Sequence, residues 1–218
     1  MITICMISPK FFGIRCKFST HIIFHHHISY NICIVRRVLF LRHSKSFANG
    51  KGIVQSDRVD TALTSEGKRI VLSRAEGLRA KNFRFSIAYV SPTLRTKETL
   101  AILLEHLSQN PRIIVEKSLI ERSYGDYDGQ PSASLLDAFD REGPNPKGIE
   151  SVTDFTNRIK SVLDSILESD TNKDILVVAH NNVLSAAYCL LNHPENVNTF
   201  WKEFQNPEYC EGFEYILS

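Results

Sequence analysis

The feature that most constrains the fold is a regular alternation, from Val38 onward, of short apolar runs with longer segments of helical periodicity. The apolar runs predict four strands, at residues 38–41, 86–90, 113–115 and 175–179. Helices are predicted at residues 65–80 after a Thr64 cap, from an N-cap pair at Ser91-Pro92, near residues 134–141, and from Val152. This alternation predicts an α/β fold, with a three-layer α/β/α domain and a mostly parallel central sheet.

Two histidines directly follow predicted strands. His43 comes after Arg42 at the end of the first run, and His180 ends an all-apolar run typical of a strand covered on both faces. The segment from Val152 carries its apolar residues on one stripe of 3.6-residue spacing, so this helix is expected to pack on the sheet. Active sites of such sheets lie at the carboxyl ends of the strands, and we therefore expect both histidines at one site.

Residues 1–37 differ in composition from the rest of the chain. They contain five basic residues, nine Ile, and no acidic residue, Ala or Leu. Basic residues interrupt the apolar stretches, so none reaches the roughly 20 residues that span a bilayer. We interpret residues 1–37 as an atypical basic extension, either an organellar transit peptide or the product of a start codon placed too far upstream. Residues 38–218 are predicted to form one folded domain, cytoplasmic or, if the extension is a transit peptide, organellar.

Composition argues against several classes of function. After residue 37 there are 21 basic and 24 acidic residues, which is not the basic balance of a nucleic-acid-binding protein. The histidines at positions 25, 26 and 27 have no Cys or carboxylate at ligand spacing and are interpreted as a surface tract. Only Cys189 and Cys210 remain in the predicted domain, so nothing requires an oxidising compartment.

Six short motifs occur in order along residues 38–218. They are Leu41-Arg42-His43-Ser44-Lys45-Ser46 with Asn49; Leu63-Thr64 with Gly67; Ser91-Pro92-x-x-Arg95-x-x-x-Thr99; Leu119-x-Glu121-x-x-x-Gly125-x-x-x-Gly129; Gly148-x-Glu150-Ser151; and Val178-Ala179-His180. In order and spacing they resemble the motifs of the histidine phosphatase superfamily, whose fold is phosphoglycerate-mutase-like. The resemblance covers essentially the whole predicted domain.

The resemblance implies a role for each matching residue. One phosphate pocket would be lined by Arg42, His43, Arg95 and His180, with His43 as the nucleophile that accepts the phosphoryl group. Glu121 would be the proton donor, and Asn49 would also contact the phosphoryl oxygens. Neither a metal nor a cofactor is implied.

Elementary chemistry supports these roles independently of the family. A phosphate monoester repels nucleophiles, so the site needs cations, and Arg42 and Arg95 supply forked donors that do not titrate. Imidazole is nucleophilic when neutral near physiological pH, which suits His43 if a backbone carbonyl holds its other ring nitrogen. A carboxyl with a raised pKa at Glu121 could protonate the leaving alkoxide and then activate water. His180 would be a further donor to transition-state charge.

The sequence departs from the family pattern in three places. Ser44 replaces a Gly after the nucleophile, and Asn181-Asn182 replaces a Gly pair after the second histidine. The backbone runs close to the phosphate at both places, so we count Ser44 and Asn181 among the substrate-binding residues. The Ser44 hydroxyl could donate to the substrate, and Asn tolerates a positive φ better than other non-Gly residues. Asp128 replaces a Glu before Gly129 and keeps its charge.

Two alternatives to a phosphatase remain open. A phosphoglycerate mutase uses the same pocket, but its relatives carry a longer insertion after the Glu loop than the 18 residues between Gly129 and Gly148 here. The second alternative is a weakly active scaffold or phospholigand-binding member of the superfamily.

The predicted partner is a small phosphorylated metabolite or a phosphoprotein, without nucleic acid or membrane. The rim of the substrate pocket is predicted at Tyr124, Tyr127 and residues 131–150. Phe200, Trp201 and Phe204 are interpreted as a packing cluster.

Overall fold

The computed structural model describes residues 19–24, 28–33, 36–169, 171, 173–204 and 207–217, the first two segments as backbone alone. The surface tract predicted at residues 25–27 lies outside these residues. No helix in the described ranges is long and apolar enough to cross a bilayer.

The strands form two sheets. They are β1 (Ser19–Phe24), β2 (Ile28–Cys33), β3 (Arg36–Arg42), β4 (Phe85–Val90), β5 (Arg112–Val115), β6 (Asp174–Ala179) and β7 (Gly212–Leu217). β1 and β2 pair antiparallel as a two-stranded sheet within the predicted extension. The other five form a sheet of order β5-β4-β6-β3-β7, in which only the edge strand β7 runs antiparallel to its neighbour.

The helices lie between these strands in sequence. They are α1 (Phe47–Gly50), α2 (Ser65–Ala80), α3 (Leu94–Leu107), α4 (Ser132–Glu142), α5 (Val152–Leu167) and α6 (Asn181–Asn192), with 3-10 segments at Lys117–Leu119, Gly125–Tyr127 and Pro194–Lys202. Thr64 caps α2 by accepting a hydrogen bond from the backbone N of Gly67, as predicted.

Alternate residues of strand β3 pack on opposite faces of the sheet. Val38 and Phe40 pack with residues of α5 and α6, whereas Leu39 and Leu41 pack with residues of α2 and α3. Every residue of β6 is buried, as expected for a strand covered on both faces. The predicted three-layer α/β/α architecture with a mostly parallel sheet is therefore confirmed.

Two element boundaries differ from prediction. β3 begins at Arg36 rather than Val38, because Arg36 and Arg37 pair with β7 and Arg37 forms an ion pair with Asp174. The predicted N-cap and N1 pair at Ser91-Pro92 is wrong. The N-cap position of α3 is Thr93, whose side chain makes no capping hydrogen bond, while the Ser91 backbone N donates to the Val178 carbonyl of β6.

Candidate active site

His43 lies immediately after β3 and is 4% exposed. Its Nδ1 is 2.7 Å from the carbonyl oxygen of Ser44, and because a carbonyl only accepts, Nδ1 carries the proton. The lone pair is therefore on Nε2. Burial lowers the pKa of His43 well below its usual value, and the cations Arg95 and Arg42 lower this pKa further. His43 is thus a neutral imidazole with a nucleophilic Nε2.

His180 follows β6 and is fully buried beside His43, with ring centroids 5.2 Å apart. Its Nδ1 lies 3.3 Å from Nη2 of Arg95, which can only donate, so the ring proton is on Nε2. That proton is donated to the Ser91 hydroxyl at 2.8 Å. Burial, then Arg95 and His43, lower the pKa of His180, which keeps this ring neutral as well.

Arg95, in the first turn of α3, is completely buried and is held by residues that sequence reasoning missed. Its Nη1 donates to the Asp60 carboxylate at 2.8 Å, and its Nη2 donates to the Ser56 carbonyl at 3.1 Å. Asp128 orders the same loop by accepting the backbone N–H groups of Ser56, Arg58 and Val59. No local pattern connects these positions.

Arg42 is the last residue of β3 and is held by the segment that precedes β7. Its Nη1 donates to the Pro207 carbonyl at 2.7 Å, and its guanidinium carbon lies 4.6 Å from the centroid of the Tyr209 ring. The buried Nε atoms of Arg42 and Arg95 have no hydrogen-bond acceptor within the described part of the chain. Since an unpaired buried donor is costly, two such cationic donors beside His43 form a site suited to an anion.

Glu121 is 7% exposed and lies in the loop after the 3-10 segment at Lys117–Leu119. Its two carboxylate oxygens accept the backbone N–H groups of Arg122 at 2.9 Å and Asn182 at 3.3 Å. Burial raises the pKa of Glu121, although these two hydrogen bonds and the nearby arginines oppose the rise. A carboxyl in this environment is able to hold and release a proton.

A third arginine, Arg158 on α5, holds the Glu121 loop and was missed by sequence reasoning. It donates to the carbonyls of Ser118, Ile120 and Glu121 at 2.7, 2.8 and 3.1 Å. Its other donors form a bidentate pair with the Glu150 carboxylate at 2.7 and 2.9 Å. An Arg on a helix otherwise reads as a surface cation, so the sequence carried no signal for this role.

The three residues predicted to bind substrate occupy different environments. Asn49 accepts the Ser46 backbone N–H on Oδ1 at 3.1 Å, which fixes the orientation of its amide. The Ser44 hydroxyl donates to the Gly67 carbonyl at 2.7 Å, and the Ser44 backbone N donates to Thr99. Asn181 opens α6 directly after His180.

The argument from positive φ does not apply at the positions that replace family glycines. Among the described residues, the non-Gly residues with positive φ are Asn82, Ser108 and Cys210. A close approach does occur at Gly67, where a Cβ atom would lie 2.2 Å from the Lys45 carbonyl oxygen. The Ser44 side chain is accommodated next to this contact, because its hydroxyl donates to the carbonyl of Gly67 in α2.

Comparison with known proteins identifies the family. A sequence profile of the histidine phosphatase superfamily (branch 1) matches residues 38–211. The chain belongs to this superfamily. It is accordingly an enzyme of the histidine phosphatase type, and the resemblance seen in the six motifs is confirmed.

The relatives carry names of two kinds. A protein of Hydrogenobacter thermophilus, provisionally named phosphoserine phosphatase 2, is 30% identical over 167 residues, covering 72% of this chain and 79% of that protein. A 2,3-bisphosphoglycerate-dependent phosphoglycerate mutase of a Methylobacterium species is 32% identical over 177 residues, covering 72% and 81%. The crystal structure of a phosphoglycerate mutase from Bacillus anthracis shares the fold, with a TM-score of 0.73, 21% identity, and coverage of 84% of this chain and 88% of that one.

Proposed function

We propose that this histidine phosphatase hydrolyses phosphate monoesters through a phosphohistidine intermediate on Nε2 of His43. The observation that carries the proposal is the environment of that nitrogen. The Ser44 carbonyl holds the proton on Nδ1, and two arginines with unpaired Nε donors lie close enough to lower the pKa of His43. A neutral nucleophile beside cationic donors is what transfer of an anionic phosphoryl group requires.

In the proposed first step, Nε2 of His43 attacks phosphorus and the ester P–O bond breaks. Arg42 and Arg95 neutralise charge on the equatorial oxygens, and Glu121 gives its proton to the leaving oxygen so that the alcohol departs neutral. We assign two further donors, the Nε2–H of His180 in exchange for its bond to Ser91, and the amide NH₂ of Asn49. The Asn49 oxygen accepts the Ser46 backbone N–H, which leaves its NH₂ group to donate.

In the proposed second step, water replaces the alcohol. Glu121, now ionised, takes a proton from the water as its oxygen attacks phosphorus, and the P–N bond to His43 breaks. Inorganic phosphate leaves, and both His43 and Glu121 return to their starting states. Ser44 acts through packing in this scheme, because its hydroxyl and backbone N–H are both donated within the fold.

A mutase is the second candidate, and the similarity to named phosphoglycerate mutases favours it. The two reactions share the phosphohistidine and differ in whether water or a second alcohol accepts the phosphoryl group. With 3-phosphoglycerate as substrate, ³¹P NMR separates them. Release of inorganic phosphate supports the hydrolase, whereas conversion to 2-phosphoglycerate supports the mutase.

The covalent step predicts different behaviour for two variants. After mixing with 4-nitrophenyl phosphate and a neutral quench, Glu121→Gln should carry an acid-labile phosphoryl adduct by intact mass, because its nucleophile and arginines remain. His43→Ala should carry none. Glu121→Gln should also slow alkyl phosphate hydrolysis by about 10²- to 10⁴-fold, the usual contribution of general acid catalysis.

The matched control is His193→Ala, since the side chain of His193 is 43% exposed and contacts Glu195 rather than the site. This variant should hydrolyse the aryl ester as the parent does. An adduct that persists in His43→Ala would show that another residue is the nucleophile.

The scheme also predicts that activity persists in excess EDTA, because every group invoked is a side chain of this chain. The measurement is the rate of 4-nitrophenyl phosphate hydrolysis before and after chelation and after adding back divalent ions. A rate that vanishes with chelator and returns with an ion would contradict the mechanism.

A further inference from the structure

We propose that a cavity beside Glu121 binds a planar aromatic leaving group, so that the substrate class is an aromatic phosphate monoester with one anionic group. This inference rests on the proposed function. The cavity has a volume of about 420 Å³, within the range of small-molecule sites. Its walls include Arg122, Tyr124, Phe139, Asn182, Phe200 and Trp201.

The cavity adjoins the loop that carries Glu121, although Glu121 itself does not line it. Arg122 and Asn182, which both line it, are the residues whose backbone N–H groups bond the two oxygens of Glu121. The Asn182 amide in turn donates to the Tyr124 hydroxyl. A general acid must reach the leaving oxygen at hydrogen-bonding distance, so the leaving group lies next to Glu121 and the two residues that bond it. The cavity that Arg122 and Asn182 line is the space we assign to the rest of the leaving group.

The lining favours an aromatic ring. Tyr124 and Phe139 meet edge to face with centroids 6.5 Å apart, and Phe200 and Trp201 meet edge to face at 5.2 Å. Two aromatic pairs leave faces and edges against which a further ring can pack. Phe200 packs on Phe155 in the core. Two members of the predicted packing cluster, Phe200 and Trp201, also form part of the cavity wall.

The lining is poorly suited to a second anion. Among the described lining residues only Arg122 is charged. The edge of its guanidinium formed by Nε and Nη2, which would bind a carboxylate bidentately, already donates to the carbonyls of Glu150 and Pro144 at 2.8 and 2.7 Å. The guanidinium carbon lies 5.7 Å from the Phe139 ring centroid, so this cation also takes part in the aromatic wall.

The test compares esters that all release a primary alcohol, so that the chemical step is similar. The esters differ in the group that would occupy the cavity. The panel is methyl phosphate, benzyl phosphate, 2-naphthylmethyl phosphate and phosphoserine. We expect kcat/KM for the two aromatic esters to exceed that for methyl phosphate by on the order of 10- to 100-fold, the effect of burying an aromatic ring. Phosphoserine should be no better than methyl phosphate.

Variants of one helix locate the effect. Phe139→Ala should reduce the ratio of benzyl to methyl phosphate by about 3- to 10-fold, the worth of an aromatic contact. The control is Leu136→Ala, also on α4, whose side chain is 62% exposed. It should leave the ratio unchanged. An equal ratio in Phe139→Ala and the parent would overturn the assignment of the cavity.

Binding provides a measurement that does not depend on turnover. Trp201 is the only Trp of the chain and lines the cavity, so its fluorescence reports occupancy. Benzylphosphonate, which cannot be hydrolysed, should change this fluorescence at a concentration at least 10-fold lower than methylphosphonate, again because of ring burial. If no ester is hydrolysed but this preference holds, the proposed function is wrong and the aromatic subsite stands. If esters are hydrolysed without aromatic preference, the proposed function stands and the aromatic subsite is wrong.

Discussion

At the scale of single residues, two titratable groups lie in environments that move their pKa values in opposite directions. Burial and two arginines lower the pKa of His43, whereas burial raises the pKa of Glu121. In the proposed scheme His43 is the base and Glu121 the acid. A lowered pKa favours the free imidazole and a raised pKa favours the protonated carboxyl, so both shifts act in the direction that the scheme requires.

This arrangement predicts the pH dependence of kcat/KM for an alkyl phosphate, which reports the free enzyme's groups. On the acid side, kcat/KM should fall only below the usual His43 pKa of 6.5, because protonation removes the nucleophile at a lowered pKa. On the alkaline side, kcat/KM should fall as pH rises through the Glu121 pKa, which lies above its usual 4.5. The measurement is the rate at substrate concentrations well below KM, recorded against pH.

Glu121→Gln supplies the matched profile, because Gln does not titrate. Its much lower kcat/KM should lose the alkaline decline and keep the acid one. An alkaline decline that survives in this variant would assign that limb to a different group.

At the scale of elements, the loop that carries Glu121 is held by helix α5. Arg158 of α5 donates to three loop carbonyls and pairs with Glu150, whose side chain is 17% exposed. One side chain thus joins α5 to the segment that carries the proposed proton donor. The position of Glu121 therefore depends on a contact that lies outside the site.

Replacing Arg158 should affect both stability and turnover. Arg158→Met leaves Glu150 without its ion-pair partner and should lower the free energy of unfolding by about 1–3 kcal/mol. The loosened loop should lower kcat by about 10- to 10²-fold, because small displacements of a catalytic group are costly. Urea unfolding and alkyl phosphate turnover measure the two effects.

Lys160→Met on the same helix is the control. Its exposed pair with Asp164 spans four residues at 3.1 Å and should contribute only about 0.3–0.5 kcal/mol. Arg158→Met with unchanged kcat would show that the loop keeps its position without this contact.

At the scale of the whole molecule, we propose that residues 38–218, together with the two arginines before them, form the catalytic domain. The superfamily match begins at Val38, but β3 begins at Arg36. Arg37 pairs with the buried Asp174 at 2.6 Å, which links the first strand of the sheet to β6.

Two truncations test where the domain begins. Deleting residues 1–35 should leave the unfolding free energy and activity unchanged, because it spares β3. Deleting residues 1–37 should lower the unfolding free energy by about 1–3 kcal/mol, because Asp174 loses its cationic partner. Denaturant titration measures both, and a 1–35 deletion that does not fold would place the extension inside the domain.

Much of the architecture could be predicted because the signals are local. The apolar stripe of α5, the Thr64 cap of α2 and the apolar run of β6 each report on neighbouring residues in the chain. The strand ends then predicted that His43 and His180 would meet, and their rings lie 5.2 Å apart. Edge strand β7 was not predicted: none of its residues is fully buried, and Glu214 interrupts the continuous apolar run that identifies a strand such as β6.

The sequence by itself determined the layered fold, the family and the types of residue available for phosphoryl transfer, since periodicity and motif spacing are properties of the chain. Only the tertiary structure decided which nitrogen of His43 is free, how Asp60 and Arg158 hold Arg95 and Glu121, and that aromatic side chains from distant segments form one cavity. The contacts that hold Arg95 and Glu121 span 35 and 37 residues of sequence, whereas the His43 proton is fixed by the carbonyl of the adjacent Ser44. Hydrogen-bond geometry and burial, which set them, exist only after the chain has folded.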